Sequence, residues 1–229
     1  ASAASAAVAT PIGAAVAQAP HQGHQIPAAS AAQAADRLSG WAFFNSDEVD
    51  FVKAALDTII PPDSTGPSAT EAGCATYMDR QMAGAFGRGA KLYLQGPFGQ
   101  TPTPQQGYQL PLTPSKLIRI GIADVNAHAL RTKQKFFKDL APADRAAILT
   151  DVEANRATLA NVPGAAWFNL FLNLTMEGYF GDPMYGGNKD KSVWKMIGFP
   201  GVPGVYSEVI EQYRNKPYPH TPRSIQDFA

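Results

Sequence analysis

Three carboxylates lie in or beside a glycine-rich stretch late in the chain. Glu177 opens this stretch, at residues 177–201, and Asp182 and Asp190 lie within it. A pair of carboxylates can act as general acid and general base. Carboxylates in such loops also accept backbone N–H bonds that hold the loop in shape. The structural role is favoured here because no histidine lies nearby, and Asn188 can serve the same purpose.

The four histidines are scattered along the chain, at His21, His24, His128 and His220. A metal site needs three or four ligands whose positions are supported by their surroundings. Only the first two are close in sequence, and they lie in an alanine-rich stretch that offers no such support. The sequence therefore predicts no metal site. His128 falls on a predicted helix, where we expect a half-buried side chain with a hydrogen-bond partner.

Cys74 is the only cysteine, which excludes an internal disulfide and the paired-cysteine motifs for zinc, iron–sulfur clusters or covalent haem. No dinucleotide or phosphate-binding fingerprint occurs, and no GxSxG nucleophile motif occurs either. The sequence thus predicts no catalytic residue and no cofactor-binding residue in this chain. Cys74 shares a predicted helix face with Tyr77 and Met78. We expect a buried, unmodified thiol, and an interchain disulfide is the less favoured alternative.

Two groups of aromatic residues stand among glycines and prolines. The first lies in a Pro- and Gly-rich arm at residues 95–114, and the second lies in residues 177–201. Such rings can stack on sugars or anchor a protein–protein interface, where tyrosine and tryptophan are enriched. The interface is favoured, since no catalytic constellation accompanies the rings. The predicted interface residues are Phe98, Tyr108, Tyr179, Phe180, Tyr185, Trp194 and Phe199.

Residues 177–201 are predicted to form a loop of fixed shape, because their mixture of aromatic, glycine and charged residues suits neither a helix nor a strand. Glycines permit positive φ or close backbone approach, prolines fix φ, and the rings supply packing.

The runs GYFGDPMYGGN and WKMIGFPG, with IIPPDSTGPSATEAG at residues 59–73, closely resemble the gluconate 2-dehydrogenase subunit 3 family. The resemblance extends from about Phe44 to about Tyr213.

The resemblance implies a small, non-catalytic subunit of a periplasmic, FAD-dependent dehydrogenase for sugars or sugar acids. FAD would then belong to a large catalytic subunit, and haem c to a multihaem cytochrome subunit. This chain would bind and stabilise the flavoprotein and assist its export in the folded state, as family members often do through the twin-arginine route. The complex would be associated with the inner membrane, and no nucleic acid is implied.

An alternative from a different class is a free-standing periplasmic sugar-binding protein or enzyme. It would use Glu177, Asp182 and the aromatic rings of the loop. A binding protein should be a soluble monomer that responds to sugar, whereas an obligate subunit should need its partner for solubility.

Signals of helix initiation and termination recur along the chain. The first predicted helix follows the capping pair Asn45 and Glu48 and stops before Pro61, and the second opens with a capping box of Ser68 and Glu71. The remaining helices are expected at residues 114–131, 142–158, 164–178 and 205–213. The 164–178 helix is apolar on nearly every side and should be central.

No alternating strand pattern of useful length is evident, so the predicted fold class is all-α. We expect a single helical domain with long Pro/Gly-rich non-helical arms and a disordered or extended Ala-rich N-terminal segment. The predicted divisions are an Ala-rich signal remnant or tail at residues 1–40, the helical domain at 41–215 and a Pro-rich C-terminal tail at 216–229.

Composition limits the classes of partner. The chain has 229 residues, of which 45% are hydrophobic, enough for one sizeable core. Its 19 basic and 19 acidic residues cancel, so no global field would draw it to nucleic acid or to an anionic membrane. No apolar run reaches the length of about 20 residues that a spanning helix needs. Partners should therefore be selected by surface shape.

Overall fold

The computed structural model describes residues 40–90, 92–99, 103, 106–202, 206–207 and 209–228. These residues form seven α-helices: α1 Ser46–Ile59, α2 Cys74–Ala83, α3 Pro114–Lys133, α4 Pro142–Glu153, α5 Gly164–Phe180, α6 Ser192–Ile197 and α7 Ile210–Tyr213. Within that part of the chain there is no β-strand, which confirms the all-α prediction. The predicted signal remnant, with His21 and His24, lies outside the described residues.

Helix α1 begins as its capping pair predicts. Asn45 Oδ1 accepts a hydrogen bond from Glu48 N at 2.9 Å, and Asn45 N donates to Glu48 Oε2 at 2.9 Å. Helix α3 likewise starts at Pro114, with Thr113 as its N-cap. Both starts are confirmed because each depends on residues close in sequence, which pair whatever the rest of the fold does.

The start of α2 differs from the prediction. Ser68 and Glu71 do form their reciprocal hydrogen bonds, at 2.8 and 3.1 Å. They close a turn that precedes the helix, because Gly73 adopts a left-handed conformation with φ of +84° and the helix begins at Cys74. A capping box here therefore shapes a turn, and the glycine sets the boundary.

Helix α4 is shorter than predicted. It ends at Glu153 instead of near residue 158, because Asn155 has a φ of +52°, a conformation that ends helices. The Asn155 side chain then accepts a hydrogen bond from Ala165 N at 2.8 Å and satisfies the start of α5. The last helix, α7, begins at Ile210, later than predicted, since Tyr206 and Ser207 are not helical.

The central helix is α5, as predicted, and it packs against α2, α3, α4 and α6. Trp167 and Phe171 lie on it with ring centroids 5.2 Å apart, and Phe51 of α1 lies 6.1 Å from Trp167. A Cβ on Gly121 of α3 would lie only 1.9 Å from Trp167 Cδ1, so the absence of a side chain there lets the indole ring lie against α3. The indole Nε1 donates to Ile118 O at 3.2 Å.

A buried carboxylate holds the backbone at the start of the helical domain. Asp79 of α2 is 3% exposed and accepts hydrogen bonds from Ala42 N, Phe43 N and Phe44 N at 2.8–2.9 Å. Successive amides that converge on one carboxylate fix the backbone just before α1.

Cys74 is fully buried, which confirms the expected environment of the thiol. It is the first residue of α2 and not a mid-helix residue, and a helix N-terminus ordinarily favours the thiolate. Burial outweighs this effect and raises the pKa of Cys74 to about 12. The thiol therefore stays protonated and unreactive at neutral pH.

Candidate partner interface

The loop that follows α5 is closed around a buried amide. Asn188 is fully buried, its Nδ2 donates to Gly181 O at 3.0 Å, and its Oδ1 accepts from Val193 N at 3.0 Å. One side chain thus joins the first residue after α5 to the first turn of α6. This is the shape-holding role that the sequence suggested for Asn188.

Two glycines let the loop backbone approach the helices. A Cβ on Gly187 would lie 1.9 Å from Gly178 O of α5, so only glycine fits at this contact. Gly186 has a φ of +105° and lies against Arg80 of α2. Lys189 N also donates to Ala72 O at 2.9 Å. The loop is therefore fixed against α2 and α5, as predicted.

Part of the loop is helical, which corrects the view that its sequence suits no helix. Residues Lys189–Lys191 form a 3-10 turn, and α6 follows directly at Ser192–Ile197. The helix is short, and left-handed residues bound it at Lys191 and at Gly198. Six residues between such breaks are too few to show a helical period, so the pattern was missed.

Asp182 holds the C-terminal tail onto the loop. Its Oδ1 accepts from Met184 N at 2.9 Å and Ser224 Oγ at 2.6 Å, and its Oδ2 accepts from Ile225 N at 2.9 Å. These hydrogen bonds support the structural interpretation of Asp182. Both carboxylate oxygens are already engaged, which disfavours a role in proton transfer.

Two further contacts fix the tail. Lys191 forms an ion pair with Asp227, and this contact holds the pKa of Asp227 below its usual value. Val202 N donates to Arg223 O at 2.8 Å. The predicted Pro-rich tail thus returns to the loop and supports it.

Glu177 has a different partner from Asp182. It is exposed and accepts a hydrogen bond from Tyr77 Oη at 2.9 Å. Burial, together with this hydrogen bond to a carboxylate, raises the pKa of Tyr77 well above its usual value. No hydrogen bond links Glu177, Asp182 and Asp190 within the described residues.

The predicted interface aromatics divide into buried and exposed rings. Tyr179 and Trp194 are each only 4% exposed. Tyr179 Oη donates to Pro67 O at 2.8 Å, and Trp194 Nε1 donates to Phe180 O at 2.7 Å. These two side chains pack within this chain's own fold. Phe180, Tyr185 and Phe199 are 39%, 47% and 41% exposed.

The other two predicted interface aromatics belong to the arm at residues 95–114. Phe98 and Tyr108 are both half-buried. Tyr108 packs on the core, and its hydroxyl donates to Leu112 O at 3.0 Å. Burial raises the pKa of Tyr108, which fits a ring that supports the arm.

Two exposed residues of α6 were not predicted. Met196 and Ile197 are 37% and 52% exposed. Gly198 separates them from Phe199, whose ring centroid lies 5.0 Å from that of Trp194. In the sequence, the available signal was that these two apolar residues follow Lys195. Only the helix shows that both side chains are exposed on the outer side of the segment. We call the exposed side chains of this segment the loop surface; it consists of Phe180, Tyr185, Met196, Ile197 and Phe199.

Other kinds of site find little support in the described residues. No three histidine, cysteine, aspartate or glutamate side chains come together there in a way that could hold a metal ion. His128 is half-buried as predicted, but its buried Nδ1 has no hydrogen-bond partner among these residues, so the expected hydrogen bond at that atom is wrong. In the same part of the chain, every helix is too short or too polar to cross a bilayer.

Comparison with known proteins gives one match. No curated protein and no solved structure matches the chain. A family model described as Gluconate 2-dehydrogenase subunit 3 matches residues 46–201 of the 229. The match covers α1 through α6 and the whole loop surface, and it ends before the tail. The chain therefore belongs to the gluconate 2-dehydrogenase subunit 3 family and is a subunit of such a dehydrogenase complex.

Proposed function

We propose that this chain is a non-catalytic small subunit that binds and stabilises the FAD-containing catalytic subunit of a periplasmic sugar or sugar-acid dehydrogenase. The observation that carries the proposal is the loop surface. It presents exposed apolar side chains on a backbone held from within by Asn188 and Gly187, inside the region that the family model matches. A rigid surface of this kind loses little conformational entropy when a partner covers it.

The non-catalytic assignment is supported by how the loop carboxylates are used. Asp182 accepts hydrogen bonds that fasten the tail, and Glu177 accepts one from Tyr77. Both carboxylates thus serve contacts within the fold. By its family, FAD would belong to the large subunit, and electrons would pass from it to haem c in a multihaem cytochrome subunit.

Binding of the small subunit would stabilise the flavoprotein by mass action, since a ligand of the folded state lowers the population of the unfolded state. Export fits the same mechanism. A flavoprotein that acquires FAD before translocation must stay folded during export, and a bound small subunit favours the folded state. The assembled complex would act at the periplasmic side of the inner membrane.

The proposal predicts that the loop surface controls assembly. Replacing Ile197 and Phe199 together by alanine should weaken association with the flavoprotein by about 2 kcal/mol or more, as loss of central apolar anchors does. Association is measured by titrating the purified full chain against the flavoprotein subunit at fixed salt.

A matched control uses equally exposed residues elsewhere. Ile210 and Phe136 are 55% and 50% exposed, and their double alanine variant removes the same side-chain types outside the loop. This control should bind as the wild type does. Equal affinity for both double variants would place the interface elsewhere, and sugar binding by the isolated chain would favour the sugar-binding alternative.

A further inference from the structure

Arg80 of α2 forms no ion pair with the described residues. Its Nε is buried and has no hydrogen-bond partner among these residues. The ion pairs found in this part of the chain involve other residues. An arginine stays protonated in proteins, so it cannot avoid the cost of burial by losing its proton. A buried, unsatisfied donor of this kind calls for an explanation.

The position of the guanidinium is defined by the loop. A Cβ on Gly186 would lie 2.7 Å from Arg80 Nη1 and 3.2 Å from its Cζ, so the group lies against bare loop backbone. Thr76 is close to the same glycine. The left-handed conformation of Gly186 both shapes the turn and leaves the space that the guanidinium occupies.

Asp79, the acidic residue next to Arg80 in sequence, is engaged with three backbone amides. Glu177 accepts its hydrogen bond from Tyr77 Oη at 2.9 Å and forms no ion pair with Arg80. Tyr185, which precedes Gly186, is 47% exposed. Arg80 therefore lies against the glycine that follows an exposed tyrosine of the loop surface, and arginine and tyrosine are enriched at protein interfaces.

We propose that Arg80, held against Gly186 beside Tyr185, receives an aspartate or glutamate side chain of the flavoprotein subunit in the assembled complex. This assignment rests on the function proposed above and adds a charged contact to the apolar loop surface. The guanidinium fork can donate two parallel N–H bonds to one carboxylate, which supplies direction as well as affinity. The buried Nε would then lie within a neutralised pair.

The test measures the affinity of the purified full chain for the flavoprotein subunit over a range of salt concentrations. Arg80→Gln should weaken binding about thirtyfold or more, the effect expected for one partner of a buried charge pair. Affinity of the wild type should fall with rising salt, and the variant should lose part of that dependence. Arg80→Lys keeps the aliphatic stem and the charge but lacks the fork, so it should fall between the two.

The control is Lys135→Gln, at an exposed lysine after α3. It removes the same charge and should leave the affinity unchanged. Thermal unfolding of the free variants separates a partner contact from a structural one, because Arg80→Gln should unfold no earlier than the wild type. The assignment is overturned if Arg80→Gln and Arg80→Lys bind like the wild type, or if Lys135→Gln loses affinity equally. Failure of the wild-type chain to bind the flavoprotein would instead remove the proposed function itself.

Discussion

Replacing Asp79 by alanine is expected to lower the free energy of unfolding by about 4 kcal/mol, because each buried donor left without a partner costs about 1–3 kcal/mol. The carboxylate accepts from three successive amides, those of Ala42, Phe43 and Phe44. Because Asp79 is only 3% exposed, water has little access to the amides that the carboxylate would leave unpaired. The chain just before α1 would lose its attachment to α2.

Urea unfolding of the full chain, followed by circular dichroism, measures this effect. Asp79→Asn keeps the volume and one acceptor oxygen, so it should lose less than the alanine variant. Asp139→Ala removes an exposed aspartate and should change stability by less than about 0.5 kcal/mol. If Asp79→Ala and Asp139→Ala unfolded at the same urea concentration, the three amide contacts would not contribute to stability.

The second large effect is expected at the centre of the core. Trp167→Ala should destabilise the fold by about 4 kcal/mol, within the range for removal of a large aromatic side chain from a packed core. Trp167 is fully buried, touches Phe51 and Phe171, and donates its indole N–H to Ile118 O. Its removal leaves a cavity beside Gly121 that no neighbouring side chain of α3 can fill.

Trp41 provides the matched control. It is 41% exposed, and its ring lies under the Lys53 ammonium at 5.6 Å. Loss of such an exposed cation–π contact costs about 0.5–1 kcal/mol, so Trp41→Ala should unfold close to the wild type. Both variants are compared by thermal unfolding. Similar melting temperatures for the two would contradict the central position of Trp167.

The sequence was sufficient where an element depends on nearby residues. The cap of Asn45 and Glu48, the Thr113 cap before Pro114 and the apolar character of α5 were all recognisable from short-range patterns. Burial of Cys74 followed from the apolar residues that share its helix face. Each of these features is decided within a few turns of the chain, where helical spacing is a direct guide.

The errors share a physical cause. The Ser68 and Glu71 capping box looks the same before a helix as before a turn, and Gly73 decides between them through a backbone conformation that composition does not show. Helix α6 was missed because its few residues are fixed by Asn188 and by packing on α5. Tertiary contacts override weak local signals in such short segments.

The proposed interface was only partly predictable for a similar reason. Trp194 and Phe199 are both aromatic and lie five positions apart, yet one is buried and the other exposed. The link from Asp182 to Ser224 spans 42 residues, and no local pattern indicates it. Nor does any local pattern indicate that Arg80 lies against Gly186 without an ion pair to the described residues.

We propose that this chain is a partner-dependent subunit without catalytic activity of its own. The most direct measurement is to express the full chain with and without the flavoprotein subunit, purify it through its own affinity tag, and record the flavin absorbance and sugar oxidation with an artificial electron acceptor. Flavin and turnover are expected only in the co-expressed sample, and neither is expected in the chain alone. Flavin-dependent sugar oxidation by the isolated chain, or its purification free of a co-expressed flavoprotein, would contradict it.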